Sequence, residues 1–502
     1  MAEKGRFGPW LAAQVRRRWV LIWIALGALS ALGQAPLGWY PATLLGLALA
    51  FLGFLSTSDP RSAFKAGWLF GLGYFALTLS WIVEPFLVDV ARHGWMAPFA
   101  LLGMAGGLAL FWGVAFWLAR GRKTLPWLTW SIALTGVELA RAYVLTGFPW
   151  GMVAYVWTDT PLLQLASLAG PHGLNLLTFL GVSLSLTYHH KGMIIGMLAL
   201  LALAGLGAFL TPPAQPLGPD RPILRLVQPN APQHQKWDPE WMPIFFERHL
   251  EMTAIKAARK PDLIIWPETS IPVLLRDAEI GFQRMSEASG GVPIVAGLQR
   301  IERGRLYNTL VALGSDGIVS AQYDKHHLVP FGEYIPGAGL LNGLGLYGLA
   351  DQLGIGYSPG PGPSLLDLGA LGQALPLICY EAVFPQDVGA TEQRPDWILQ
   401  LTNDAWFGEV SGPHQHLAQA RFRAVEQGLP MVRVANTGIS AVIDPAGRVL
   451  GELSLGVQGY LDAPLPTAGR ATPYSKSGDW TIFWVLIGLT ALAAFRRGQK
   501  NH

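Results

Sequence analysis

The chain has 502 residues, 51% of them apolar and 14% charged, with 20 tryptophans, 59 glycines and a formal net charge of +3. That balance belongs to a membrane protein rather than a soluble globular one, and so small and dispersed a positive charge excludes a nucleic-acid partner. The single cysteine, Cys379, cannot close an internal disulfide, so no oxidised framework holds the fold.

The first part of the chain is a succession of apolar stretches, each near the roughly 20 residues that cross a hydrocarbon core. Spans are expected near 19–33, 41–57, 66–87, 97–119, 125–144, 161–188 and 193–211, with an eighth near 479–495. The basic start of the first stretch also fits a signal peptide, but six further spans follow it closely, so an uncleaved helix is expected. Lysine and arginine collect in alternate connections: Lys4, Arg6 and Arg16–Arg18 before span one, Arg61 and Lys65 after two, Arg120, Arg122 and Lys123 after four, Lys191 after six, and Arg496, Arg497 and Lys500 at the end. The intervening connections carry one arginine, Arg92. By the positive-inside rule both termini are cytoplasmic and the region from 212 to 478 lies outside. The aromatic segment GFPWGMVAYVW at 147–157 reads either as an interfacial belt or as a packed loop.

Three domains are therefore expected: a membrane domain of seven helices at 1–211, a water-facing domain at 212–478, and a last helix with its tail at 479–502. The water-facing region opens with the linker TPPAQPLGPDRP and then alternates short apolar runs with amphipathic segments, with no visible internal repeat. Strands are expected at 223–228, 262–266, 293–299, 375–380 and 397–402. Helices are expected from Asp238, with Pro239 in the first turn, and over PHQHLAQARFRAVEQG, ending on Gly428. Hairpins turn at Asp316-Gly317 and at Pro445-Ala446-Gly447. The whole suits one α/β sandwich domain.

Chemistry is sought where strands end, because side chains there are exposed on a rigid support. Glu268 follows DLIIWP, Lys325 follows AQYD, and Cys379 ends LPLI. A thiol needs a base near neutral pH, a buried carboxylate can serve as that base, and a cation stabilises a developing oxyanion. Taken singly, each residue has an ordinary reading: small core filling, a turn, a solvated lysine. The combination points to nucleophilic catalysis without a histidine. His414 and His416 lie two positions apart, which on a helix puts them on different faces, so no metal is expected.

IIWPETS, YDKHHLVPFGEYIP and LICYEAVFP, in that order, resemble the glutamate, lysine and cysteine motifs of the nitrilase superfamily of carbon–nitrogen hydrolases, and LTNDAWFG, HLAQARFRAVE and VRVANTGISAVIDPAGRV extend the match. Seven spans before such a domain and one after it resemble the bacterial apolipoprotein N-acyltransferase family. The resemblance implies a polytopic α-helical membrane domain of about eight spans plus an extracytoplasmic nitrilase-like αββα sandwich, in the bacterial inner membrane with its catalytic domain periplasmic. It implies an acyl donor, phosphatidylethanolamine, a diacylated apolipoprotein acceptor, no cofactor and a monomer. It makes Glu268 the general base, Lys325 the oxyanion support and Cys379 the nucleophile, and it marks Glu333, Tyr380, Glu381, Trp237 and Asn308 as functional positions. Glu333 is expected to fix the Lys325 ammonium, and Tyr380 and Glu381 to shape the oxyanion pocket or hold the amine. The glycine- and leucine-rich segment 336–363 is expected either to form a lid at the membrane interface or to be a packed loop. A membrane-anchored amidase would share the three catalytic residues, and a transporter with an appended binding domain would carry charges along a path through its spans. Glu84, Asp89, Glu138 and Arg141 instead fall near span ends.

The alternation of basic connections is checked by fusions. A reporter active only outside the cytoplasm is expected to work after residue 212 and to fail after Lys123 or Lys191; the opposite pattern overturns the orientation.

Overall fold

A computed structural model describes residues 7–121, 125–187, 189–214, 218, 220–336 and 356–498. The chain divides into two compact units, Met1–Phe86 with Arg92–Leu210 and Asp479–His502, and Leu87–Ala91 with Thr211–Gly478.

In the first unit a helix occupies each stretch read as a span: Phe7–Ala31, Tyr40–Leu55, Pro60–Thr78, Ala97–Arg120, Pro126–Tyr143, Ala166–Thr187, His189–Leu210 and Trp480–Gly498. By length and hydropathy, Val90–Arg120, Pro161–Thr187 and Lys191–Leu210 suffice to cross a bilayer, and Pro60–Thr78 with Ser80–Leu87, bent by 65°, forms a fourth candidate. Arg18–Ala31, Tyr40–Leu55 and Trp480–Phe495 are shorter apolar helices, so length alone does not establish eight crossings. Close packing rests on small residues: a Cβ at Gly73 would lie 2.0 Å from the Ile24 carbonyl oxygen. Glu138 and Arg141 lie toward the end of their helix but are buried, 2.6 Å apart. Trp112 Nε1 donates to Glu138 (2.8 Å), and Arg141 donates to the carbonyls of Phe148 and Trp150. This pair is occupied with bracing a loop. The aromatics of 147–157 are packed rather than belted: Trp150 is fully buried 4.5 Å from Trp81, and Trp157 Nε1 donates to Thr178 Oγ1 at 2.8 Å.

The second unit holds two six-stranded sheets. One contains β1 (Ile223–Gln228), β2 (Leu263–Ile265), β3 (Ile294–Glu302), β4 (Arg305–Leu313), β5 (Val319–Asp324) and β12 (Gly459–Pro464), in the order β12-β1-β2-β3-β4-β5. The other contains β6 (Leu366–Asp367), β7 (Gln373–Ile378), β8 (Trp397–Thr402), β9 (Met431–Ala435), β10 (Ser440–Ile443) and β11 (Val449–Leu453), in the order β11-β10-β9-β8-β7-β6. From β12 to β5, and again from β6 to β11, neighbours pair antiparallel, parallel, parallel, antiparallel, antiparallel. The sheets thus repeat one plan that the sequence does not repeat. Their parallel centres read as unbroken apolar runs because both faces are covered. Leu250, Met252, Phe282 and Met285 of helices Met242–Ala254 and Glu279–Ser289 pack on the first sheet, and Ala420 and Ala424 of helix Gly412–Gln427 on the second. Between the sheets, Ser440 Oγ donates to Gln228 Oε1 at 2.6 Å.

β1 and β8 match the expected strands residue for residue. The 242–254 helix starts at Met242 with Pro243 in its first turn, while Asp238 accepts from the Glu240 amide in a preceding turn. β7 stops at Ile378, one residue before the cysteine.

The first sheet is closed by Arg225, 1% exposed, which grips Asp462 of β12 through Nε and Nη2, both at 2.7 Å, and donates to the carbonyls of Met252, Thr253 and Ile255. Arg225→Met is expected to lower stability by about 3–5 kcal/mol, because it strands a carboxylate and several carbonyls together, read as the unfolding transition of the full chain in detergent. A midpoint at the wild-type value would mean that Arg225 does not close the sheet.

Candidate active site

β2 delivers Glu268 through the turn Trp266–Thr269. That turn passes β3 so closely that a Cβ at Gly297 would meet the Thr269 nitrogen at 2.5 Å and Glu268 Cα at 2.8 Å. β5 delivers Lys325, whose amide still donates to Asn308 of β4 at 2.9 Å. β7 delivers Cys379, where the backbone turns out of the sheet at φ 52° and opens the short helix Cys379–Val383. Thr269 (φ 46°) and Phe331 (φ 62°) are also left-handed. Each such non-glycine residue costs roughly 1–3 kcal/mol, and they fall on the loops bearing Glu268, Glu333 and Cys379.

The expected residues converge. Lys325 Nζ lies 2.9 Å from Glu333 Oε1 and 3.9 Å from Glu268 Oε1. Asn308 Nδ2 bridges the same carboxylates, at 2.7 Å from Glu268 Oε1 and 3.3 Å from Glu333 Oε1. The Asn403 amide donates to Glu268 Oε2 at 2.8 Å, and the Val329 amide to Glu333 Oε2 at 2.8 Å. Lys325 is 1% exposed, Cys379 5% and Glu268 7%.

In so dry a site the charges set one another. Burial pushes the Glu268 carboxyl up and Glu333 adds to the rise, while Lys325, the Asn308 hydrogen bond and Lys236 pull it down. Burial would push the Lys325 ammonium down, but Glu333, Glu268 and the Cys379 thiolate together hold it above its ordinary value. Burial pushes the Cys379 thiol well up, and Glu268 adds to this, whereas Lys325 opposes it. The cysteine is thus held toward its thiol form.

Glu381 takes a different place from the carboxylate pair. Its Oε1 accepts from the Tyr323 hydroxyl (2.9 Å) and the amides of His326 (2.8 Å) and His327 (3.3 Å), and its Oε2 from the Ile378 amide (2.6 Å). It ties the loop after β5 to the end of β7, a brace between lysine and cysteine. The Tyr380 ring stands edge-on to Phe384 at 4.9 Å. Trp237 is half-buried beside Lys236, whose Nζ lies 5.9 Å over its ring, and lines a neighbouring pocket with Met242, Phe245 and Thr269. Residues 337–355, most of the expected lid, lie outside the described residues.

A further group carries no role in the sequence, apart from His416, whose pairing with His414 is read there as no metal site. Gln400 Nε2 donates to the Cys379 carbonyl (3.1 Å) and faces His416 Nε2 (3.0 Å), and His416 Nδ1 faces Asp404 Oδ1 (3.0 Å). Arg433 anchors this group through Gln400 Oε1 at 2.8 Å and Asp404. Asp404 lies in LTNDAWFG, His416 in HLAQARFRAVE and Arg433 in VRVANTGISAVIDPAGRV, motifs that carry no individual role in the sequence, and Gln400 lies just before the first of them. Lys236 carried no signal. His326, His327 and Asp387 place nitrogen and oxygen atoms within 4.8 Å of one another, as a metal would need, but His326 also contacts Tyr323 and Glu381.

Residues 26–184 match the apolipoprotein N-acyltransferase N-terminal domain family, and residues 224–473 the carbon–nitrogen hydrolase family. An apolipoprotein N-acyltransferase of Caulobacter vibrioides is 39% identical, over 94% of this chain and 93% of its own length. One from Rhodopseudomonas palustris is 38% identical over 95% of each chain.

Glu381→Gln is expected to turn an amide group onto its donors and lower stability by about 1.5–3 kcal/mol, seen as a reduced midpoint of thermal unfolding. An unchanged midpoint would remove the bracing role.

Proposed function

Because the chain belongs to the apolipoprotein N-acyltransferase family, acyltransferases of lipoprotein biosynthesis, we propose that it moves an acyl chain from a phospholipid to the α-amine of the N-terminal diacylglyceryl-cysteine of apolipoproteins, through a thioester on Cys379. The observation that carries this reading is the burial of Glu268, Lys325 and Cys379 in one charge-coupled cluster.

In the first step Cys379 Sγ attacks the donor's ester carbonyl as Glu268 takes the thiol proton. Lys325 faces the developing oxyanion, its position fixed by Glu333. The ester C–O bond breaks, Glu268 returns the proton to the leaving alkoxide, and lysophospholipid departs. In the second step the acceptor's amine attacks the thioester, Glu268 takes its proton, and Lys325 again neutralises the oxyanion. The C–S bond breaks, the thiolate regains a proton, and the amide product leaves. A dry site keeps water from the thioester between the steps. Tyr380, Trp237 and Asn308 shape this site, Asn308 by bridging the two carboxylates through one amide nitrogen.

The same reading assigns residues 1–211 to seven membrane helices, 212–478 to the catalytic domain and 479–502 to a final helix and tail. It places the catalytic domain on the periplasmic side of the inner membrane and both termini in the cytoplasm, supported by the alternation of basic connections. Phosphatidylethanolamine is the proposed donor, and the enzyme is proposed to act as a monomer.

Purified protein incubated with labelled phospholipid alone is expected to carry a hydroxylamine-sensitive acyl group on Cys379 and to release lysophospholipid, and a diacylated lipopeptide is expected to discharge the label onto its amine. Cys379→Ala takes up none. Glu268→Gln acylates roughly 10²–10⁴ more slowly, and Lys325→Met loses at least a comparable factor. Label that persists in Cys379→Ala, or that needs the acceptor present, rules the mechanism out; no phospholipid labelling at all favours an amidase.

A further inference from the structure

In QHQKWDP, Lys236 reads as a solvated lysine among polar neighbours. It is 7% exposed. Its Nζ donates to the carbonyl oxygen of Glu268 at 3.0 Å and to Thr269 Oγ1 at 2.8 Å. Both hydrogen-bond partners are neutral oxygens and its other neighbour is the Trp237 ring, so no carboxylate meets the buried ammonium directly, and burying a charge is expensive unless opposite charge lies nearby. The nearby groups are those of the acyl-transfer site.

The charges around Glu268 come from several elements. Lys325 and Glu333 lie on the loop after β5, Cys379 at the end of β7, and Tyr357 and Lys236 face it from further segments. Lys236 also acts electrostatically on His249, and Asp404 on Cys379. Lys325 sits closer to Glu333, at 2.9 Å, than to Glu268, at 3.9 Å. Lys325 is the larger positive influence on Glu268 and is shared with Glu333; Lys236 is a second ammonium acting on Glu268, and it alone of the two touches the peptide that carries it. That peptide leads into Thr269, a β-branched residue at φ 46° that the two hydrogen bonds hold in place.

We propose that Lys236 is a positioning residue of the acyl-transfer site: it clamps the Glu268–Thr269 peptide and keeps the Glu268 carboxylate ionised, and so sets the lowest pH at which Cys379 is activated. This rests on the reading of Glu268 as the base for Cys379. Burial pushes Lys236 down to about 8, with Glu268 and Cys379 opposing the fall, so it is charged at neutral pH. Burial raises the Glu268 carboxyl and Lys236 is among the groups that lower it. Removing Lys236 therefore raises Glu268, and the base is lost at a higher pH than in wild type.

Cys379 is the single cysteine of the chain, so iodoacetamide alkylation of the intact protein in detergent reads its activation without any lipid. In wild type the rate is expected to fall on the acid side as Glu268 protonates. Lys236→Met is expected to move that limb up by about one pH unit, a roughly tenfold slower alkylation below it. Lys236→Gln, which keeps a donor to the Glu268 carbonyl but not the charge, gives the same shift should the methionine variant fail to fold. Lys236→Arg restores the wild-type limb. A Lys236→Met or Lys236→Gln profile that is lowered equally at every pH, or unchanged, overturns the proposal and leaves Glu268 as the base. Glu268→Gln with a wild-type acid limb would overturn the base assignment itself, and this proposal with it.

Discussion

A lysine that is 1% exposed keeps its charge only where carboxylates stand against it, and the α/β unit is arranged around that requirement. Glu333 meets Lys325 directly, Glu268 stands one ångström further off, and Asn308 spans the two. Remove any member and the others face a low-dielectric interior with unbalanced charge. The same dryness that makes the group interdependent strengthens each interaction aimed at a developing oxyanion. Proximity of opposite charges is thus what keeps the buried lysine ionised.

The backbone meets that condition by bending where strands end. Cys379 and Thr269 hold left-handed conformations that side chains disfavour, and each is overdetermined by contacts. The cysteine's carbonyl is taken by Gln400 and the amide before it by Glu381; the Glu268 turn is pinned to Gly297 by the Ile271 amide at 3.1 Å and to Lys236. Two parallel-centred sheets supply the rigid frame for these bends, so loops carry the reactive atoms without being free to wander.

Much of this is legible in the sequence because it is local. Apolar runs buried on both faces mark β1 and β8, and a turn residue after such a run marks Glu268 and Cys379. Gly428, left-handed at φ 63°, ends its helix as its position suggests. What depends on distant partners is not legible. Lys236 looks solvated because Thr269 and Glu268 are over thirty positions away. Glu381 sits beside the cysteine in sequence, yet its Oε1 accepts from residues that precede it by more than fifty positions. The tryptophans of 147–157 fit either an interfacial belt or a packed loop, and only the packing of Trp81 and Thr178 against them decides for the packed loop. The repeated sheet plan is carried by pairing geometry, which residue identity does not encode directly.

The pairing of Ile223 with Pro464 has a consequence for how the chain is made. Neighbouring strands lie about 4.8 Å apart, so two segments more than two hundred residues apart in the chain lie side by side. β1 is synthesised first but keeps an open side until β12 emerges, more than two hundred residues later. The helical unit waits in the same way, since Ile482 and Leu486 of its last helix fill a core with Leu176. A chain made only as far as the residues between β1 and β12 therefore holds two incomplete structures, a sheet with an open edge and a helical core that lacks Ile482 and Leu486.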